Sequence, residues 1–203
     1  MIEALSAASG RHVSRETFSR IEFFAELLKA ASAEQNLVAR STLDELWERH
    51  ILDSAQLVRF EPHERSSWLD IGSGAGLPGI VVALLVQGPV ALVEPRRLRA
   101  DFLRGVVEKL ELCPRVTIHH AKVERMSGRF DAITARAVAS LPRLLEISSH
   151  LSTKKTVWVL PKGRGARTEL AEARRAWQGA FHVERSVTDA DSYIVVASGV
   201  GKR

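Results

Sequence analysis

Apolar residues recur at three- and four-residue intervals from Ser14 to about Ala33, where Phe18, Ile21, Phe24 with Ala25, and Leu28 form one stripe. This spacing predicts an amphipathic helix with Ser14 as its N-cap. A second helix is predicted from about Leu43 to Val58, through Leu46, Trp47, Ile51 and Leu57. From Ser66 onward the pattern changes to short apolar runs separated by helical stretches. The runs predict strands at Trp68–Ile71, Val90–Glu94, Arg115–His119, Phe130–Ala135, Thr156–Leu160, Phe181–Val187 and Tyr193–Ser198. Helices are predicted between them at about Gly79–Val86, Arg97–Leu110, Leu141–His150 and Thr168–Trp177. Such alternation makes parallel strands covered by helices on both faces. Thr188–Ser192 leaves no room for a crossover helix, so the last two strands should be antiparallel. The expectation is one domain over residues 1–203, with residues 1–60 as an N-terminal helical cap and residues 61–203 as an α/β core.

Composition adds little to that frame. An apolar fraction of 45% and a charged fraction of 26% describe an ordinary globular chain that needs no disulfide or structural metal. The single cysteine, Cys113, cannot form an internal disulfide, which suits a reducing cytoplasm, and it reads as a small buried hydrophobe. No apolar run is long enough to span a bilayer, and Met1-Ile-Glu-Ala-Leu has no signal-peptide character. Residues 154–203 carry 10 basic and 5 acidic side chains, and 22 of the 29 basic residues are arginine. A basic C-terminal third favours a polyanionic partner such as nucleic acid, although a solvated basic surface has the same composition.

The chemistry concentrates on the glycine-rich turn in Trp68-Leu-Asp-Ile-Gly-Ser-Gly-Ala-Gly-Leu-Pro-Gly-Ile80. Gly72, Gly74 and Gly76 follow a strand and open a helix, where backbone must turn sharply and approach a ligand closely. Gly74–Gly79 also satisfies the dinucleotide pattern G-x-G-x-x-G. Two residues favour S-adenosylmethionine instead. Asp70, at the strand's carboxyl end, suits an ammonium and would repel a pyrophosphate. Pro78 removes a backbone N–H where a phosphate would need one. Glu94, ending the second strand, can accept from ribose hydroxyls in either cofactor class.

Further candidates lie at the carboxyl ends of the third to fifth strands. Val123 and Glu124 could flank an adenine, with a surface helix-start acid as the alternative for Glu124. Arg136 is a charge in an apolar run and must find a partner, either a ligand or an internal ion pair. Lys162, before Gly163, is expected as a loop cation facing the same edge. His119 and His120 point to opposite faces of a strand and lack companions, so no metal site is expected.

Together these motifs resemble the glucose-inhibited division protein B family, bacterial 16S ribosomal RNA guanine-N7 methyltransferases. The resemblance is carried by Asn36-Leu37, Arg49-His-Ile-Leu-Asp-Ser54 and Asp70-Ile-Gly-Ser-Gly-Ala-Gly-Leu-Pro-Gly79. It continues through Phe102-Leu-Arg104, Val123-Glu124, Ala135-Arg-Ala137 with Ser140-Leu141, and Lys162-Gly163, nearly the whole chain in order. It implies a Rossmann-like class I methyltransferase, a seven-stranded mostly parallel sheet with the last strand antiparallel. It also implies a cytoplasmic enzyme using S-adenosylmethionine to methylate a guanine N7 in small-subunit rRNA, free or in the subunit particle.

Cofactor contacts are then expected from Asp70, Gly72, Gly74, Gly76, Leu77, Glu94, Val123, Glu124 and Arg136, and substrate contacts from Arg136 and Lys162. His50 and Asp53 would lie near the cofactor and target base, either as catalytic candidates beside Arg136 or as hydrogen-bonding residues that fix the cap. Val38, Ala135 and Glu94-Pro95 depart from the family's threonine, serine and Asp-Ser. The chain also ends soon after the last strand, where an RNA contact beyond it would be lacking. No metal and no membrane are expected, and a monomer suffices. The rival readings are a methyltransferase acting on another RNA or a small molecule, an NAD-dependent oxidoreductase, and a non-enzymatic RNA-binding protein.

Overall fold

The computed structural model of the chain describes residues 1–35, 37–38 and 43–203, without the side chains of Glu34 and Gln35. The order of elements follows the hydrophobic pattern. Strands β1 (Trp68–Ile71), β2 (Val90–Val93), β3 (Val116–His119), β4 (Ala132–Ala135) and β5 (Val157–Lys162) are parallel. Strand β7 (Tyr193–Lys202) inserts antiparallel between β5 and β6 (Trp177–Arg185), giving the order β3-β2-β1-β4-β5-β7-β6. The expected antiparallel last strand is present.

Helices cover both faces because β1, β2 and β4 are buried on both sides. On one face, α4 (Gly79–Leu85) and α5 (Arg97–Lys109) pack with the N-terminal helices around Trp68, Leu92 and Ala132. On the other, α6 (Leu141–Ser148) and α7 (Ala166–Ala176) pack on Leu69, Ile133 and Trp158. The N-terminal part consists of α1 (Ile2–Ser9), α2 (Arg15–Gln35) and a segment of three helical types. That segment begins as a π-helical turn at Trp47–Leu52, continues as the short α3 (Asp53–Ala55) and tightens to 3-10 geometry at Gln56–Phe60. Leu5, Ile21, Phe24, Leu28 and Ile51 share one contiguous apolar cluster with the sheet, so the cap is an added layer over α4.

The structure corrects several expectations. The Leu43–Val58 helix is not uniform. Helix α1 escaped notice because eight residues give too few turns to show a period. Trp177 opens β6 instead of closing α7, and β7 runs to Lys202 beyond the expected Ser198. Cys113 is exposed, in the α5–β3 connection at the amino ends of the strands, far from the edge where chemistry gathers.

Candidate functional site at the carboxyl edge

Chain order reverses between β1 and β4, and the crevice outside the carboxyl ends of such strands is where ligands bind in open α/β sheets. The glycine loop leaves β1 at that point. Its Gly72 and Ser73 N–H groups both donate to the Val93 carbonyl, at 2.8 and 3.1 Å, which ties the loop to β2. Gly72, Gly74 and Gly76 all have positive φ (68°, 54° and 88°). A Cβ on Gly76 would stand 2.7 Å from Ile80 Cγ1, so glycine is required there for space as well as for backbone.

Asp70 and Glu94 lie beneath this loop, both buried. Asp70 Oδ2 accepts from the Gly79 N–H at 3.1 Å, the first helical N–H after Pro78, and so closes the start of α4. Its Oδ1 is fully buried with no hydrogen-bond partner among the described residues. Burial pushes the Asp70 carboxyl up to about 7, with hydrogen bonding and Arg136 opposing the rise. Glu94 is engaged at both oxygens, Oε2 by Gly74 N–H and Oε1 by Arg96 N–H, each at 2.8 Å. Each oxygen still keeps lone-pair capacity for a hydroxyl donor.

Arg136 leaves the carboxyl end of β4 beneath the cap. Its Nη1 donates to His50 Nδ1 at 3.1 Å and to the Arg49 carbonyl at 3.4 Å, and lies 3.6 Å from Asp53 Oδ2. Both sequence alternatives for this residue therefore bear on it: the ion pair with Asp53 exists, and Nε and Nη2 make no hydrogen bond among the described residues. Burial lowers the Arg136 guanidinium, while Asp53 and Asp70 pull it back up. Burial, Arg136 and Arg49 together depress His50 to about 4, so its imidazole is neutral and accepts from Arg136.

Burial raises Asp53 against the opposing Arg136 charge. Its Oδ1 receives Gln56 Nε2 at 2.8 Å, Thr188 Oγ1 at 3.2 Å and Ser186 Oγ at 3.4 Å. His50 and Asp53 thus tie the segment before β1 to Arg136 and to the β6–β7 connection. Gln56, Ser186 and Thr188 were not singled out in the sequence, because single polar residues far apart in the chain carry no local pattern.

Among the described residues three cavities open at this edge: a wide one of about 1110 Å³ over Arg49, His50, Asp53 and the β6–β7 connection, and two smaller ones that meet at Arg136 and Ala137. Of these two, the first, about 340 Å³, is lined by Leu37, Val38, His50, Gly72–Ala75, Leu77 and Arg99. The second, about 520 Å³, lies over β4, β5 and β7 between Asp53, Val138–Ser140, Pro161–Gly163, Glu169 and Tyr193. Ala137, at the junction, holds a left-handed φ of 56°, which costs a non-glycine residue energy and tends to mark functional backbone.

Lys162 is the last residue of β5 and not a loop residue as expected. Its nearly buried ammonium donates to the Ala139 carbonyl at 2.8 Å and pairs with Glu169 at 2.9 Å. Val123 is buried in a 3-10 turn after β3, with Glu124 exposed beside it, farther along the same edge than either cavity lining. Asn36 lies outside the described residues. Leu37 and Val38 line the first cavity, so the departure at Val38 faces it directly. No group of histidine, cysteine and acidic residues suited to a metal occurs among the described residues.

The profile of the family GidB, rRNA small subunit methyltransferase G, matches residues 17–193. A ribosomal RNA small subunit methyltransferase G from Sphingopyxis alaskensis is 50% identical over 188 residues, 92% of this chain and 80% of the relative. One from Rhizorhabdus wittichii is 44% identical over 204 residues, covering 99% and 94%. Among solved structures, an O-methyltransferase from Bacillus cereus in complex with SAH superposes with a TM-score of 0.59 at 18% identity, over 86% of this chain and 90% of that one. The Bacillus subtilis M1A22 tRNA methyltransferase TrmK gives 0.58 at 16% identity, over 73% and 65%. At such identities the superpositions establish the Rossmann-like methyltransferase fold.

Proposed function

Because the chain belongs to the rRNA small subunit methyltransferase G family, we propose that it moves a methyl group from S-adenosylmethionine to N7 of a guanine in small-subunit ribosomal RNA. The observation that carries this reading at the level of the site is the meeting of two cavities over Arg136 and Ala137. One is built on the glycine loop for the methyl donor, and the other is free for a base.

The groups beneath and beside the first cavity fit the cofactor. Asp70 offers a buried carboxylate with an orphaned oxygen next to the loop, a match for the amino-acid ammonium directly or through water. The Asp70–Gly79 bond closes the start of α4, where a pyrophosphate would need open N–H groups. Glu94, with its remaining acceptor capacity, suits the ribose, and Val123 with Glu124 extends the edge toward the adenine.

When bound, the cofactor supplies an electrophilic methyl on a sulfonium, whose carbon passes to N7 while the C–S bonding pair returns to sulfur. N7 already presents its lone pair, so no side chain has to remove a proton. The chain's task is orientation and exclusion of water. In this reading Arg136 holds O6 of the base or an adjacent phosphate through Nε and Nη2. His50, Asp53 and Arg49 fix its Nη1 end. The target base must be splayed from its loop to enter the second cavity, as single-stranded RNA bases are when read by proteins. The reading needs no more than a monomer acting where rRNA is made, in the cytoplasm.

Incubation with labelled S-adenosylmethionine and unmethylated small subunits, followed by mapping of the modified nucleotide, tests the reading. Label at one guanine N7 is expected. Label at another atom, or on small molecules alone, would refute it.

A further inference from the structure

The second cavity contains a carboxylate that no sequence signal marked. Glu169, on α7, faces it beside Lys162 and Tyr193. Its Oε2 is fixed from two sides, by the Leu141 N–H at 2.6 Å and by Lys162 Nζ at 2.9 Å. Lys162 is itself anchored on the Ala139 carbonyl. The other oxygen, Oε1, accepts no hydrogen bond among the described residues, and the side chain remains 29% exposed. Asp53, the cavity's other carboxylate, is committed to Gln56, Ser186, Thr188 and Arg136. Glu169 is thus an acceptor held rigid on one side and open on the other.

Guanine has the edge that such an acceptor reads. Its N1–H and 2-amino donors lie on the Watson–Crick edge, opposite N7. Methyl transfer requires N7 to face the junction at Arg136 and Ala137, which turns the donor edge toward the β5–α7 side where Lys162 and Glu169 stand. We propose that Glu169 is the guanine-specificity residue, accepting through Oε1 from N1–H and the 2-amino group, with Lys162 as its positioning residue; this rests on the guanine-N7 reading above. Adenine would bring its N1 acceptor against the carboxylate and be rejected. As N7 gains the methyl, the purine becomes cationic and N1–H more acidic. The bond to Glu169 therefore strengthens toward the transition state and aids the reaction as well as the choice of base.

The test compares small-subunit RNA carrying guanine or inosine at the mapped target, because inosine lacks only the 2-amino group. The wild-type protein should prefer guanine in kcat/KM by about tenfold or more, the scale of a hydrogen bond to a charged group. In Glu169→Gln, the Leu141 N–H keeps an oxygen acceptor, and the amide NH2 falls where Oε1 stood and meets the base donors with a donor. That variant should lose at least about tenfold on guanine and discriminate against inosine by no more than about twofold. Its melting temperature and S-adenosylmethionine affinity report the fold separately. A wild-type protein indifferent to inosine overturns the proposal even if the variant does not fold. An equal inosine penalty in wild type and variant overturns it as well, because a merely structural glutamate would leave the ratio unchanged. Absence of any N7 methylation would count instead against the function proposed above.

Discussion

Asp70 and His50 have displaced proton affinities of opposite consequence for stability. Asp70 is held up at about 7 by burial, against 3.8 in an unperturbed chain. Between those values the folded protein keeps a proton that the unfolded chain has lost, so Asp70 makes stability fall as pH rises through that window. His50, depressed to about 4 from 6.5, is neutral when folded and protonated when unfolded over that interval. It makes stability rise with pH there and offsets Asp70 until about 6.5, above which Asp70 acts alone. An ammonium beside Asp70 would favour its ionised form, so S-adenosylmethionine binding should release a proton and tighten between pH 6 and 8. Titration calorimetry in two buffers of different ionisation enthalpy checks this, and affinity that is flat across that range would remove Asp70 from the ammonium site. At Gly79, a Cβ would stand 2.2 Å from Leu92 Cδ2 and 2.5 Å from Asp70 Oδ2. Gly79→Ala should therefore destabilise the protein by about 1–3 kcal/mol in chemical denaturation, the cost of overpacking.

Among the elements, the β6–β7 connection fastens the cap to the sheet. Fully buried Gln56 donates to Asp53 Oδ1 at 2.8 Å and to Ser186 Oγ at 2.9 Å, and accepts from the Val187 N–H at 2.9 Å. Gln56→Ala leaves these partners short of bonds and should cost about 2–4 kcal/mol, read by denaturation. Methyl transfer should fall with it, because Asp53 orients Arg136; a variant as stable as wild type would show that the clamp carries no weight. This clamp was invisible in the sequence, since Gln56 and Ser186 come together only through the sheet order. The π-helical turn at Trp47–Leu52 was equally hidden, because one widened turn barely disturbs an apolar stripe. By contrast β1, β2 and α5 were legible nearly to the residue. The double-sided burial of the two strands, the one-faced apolar stripe of α5 and the nearby prolines and glycines leave a local record.

At the scale of the whole molecule, the switch between β1 and β4 brings the glycine loop, Arg136 and the cap to one edge, and the walls between them form two adjoining cavities. The glycine loop of the first cavity was legible, because its glycines, Asp70 and Pro78 have to be local to one turn. The sequence disclosed Arg136 as a charge without an evident partner. Of the second cavity it marked Asp53, Arg136 and Lys162 but not Glu169, Pro161 and Tyr193, which lie on three separate elements. Arg136 lines both cavities and joins them. The most direct measurement is single-turnover methyl transfer to small-subunit rRNA by Arg136→Ala beside the wild-type protein, with cofactor affinity and melting temperature followed in parallel. If Arg136 serves both cavities, the rate falls by about 100-fold or more in a variant that still folds and still binds cofactor. A variant that methylates at the wild-type rate would contradict that role.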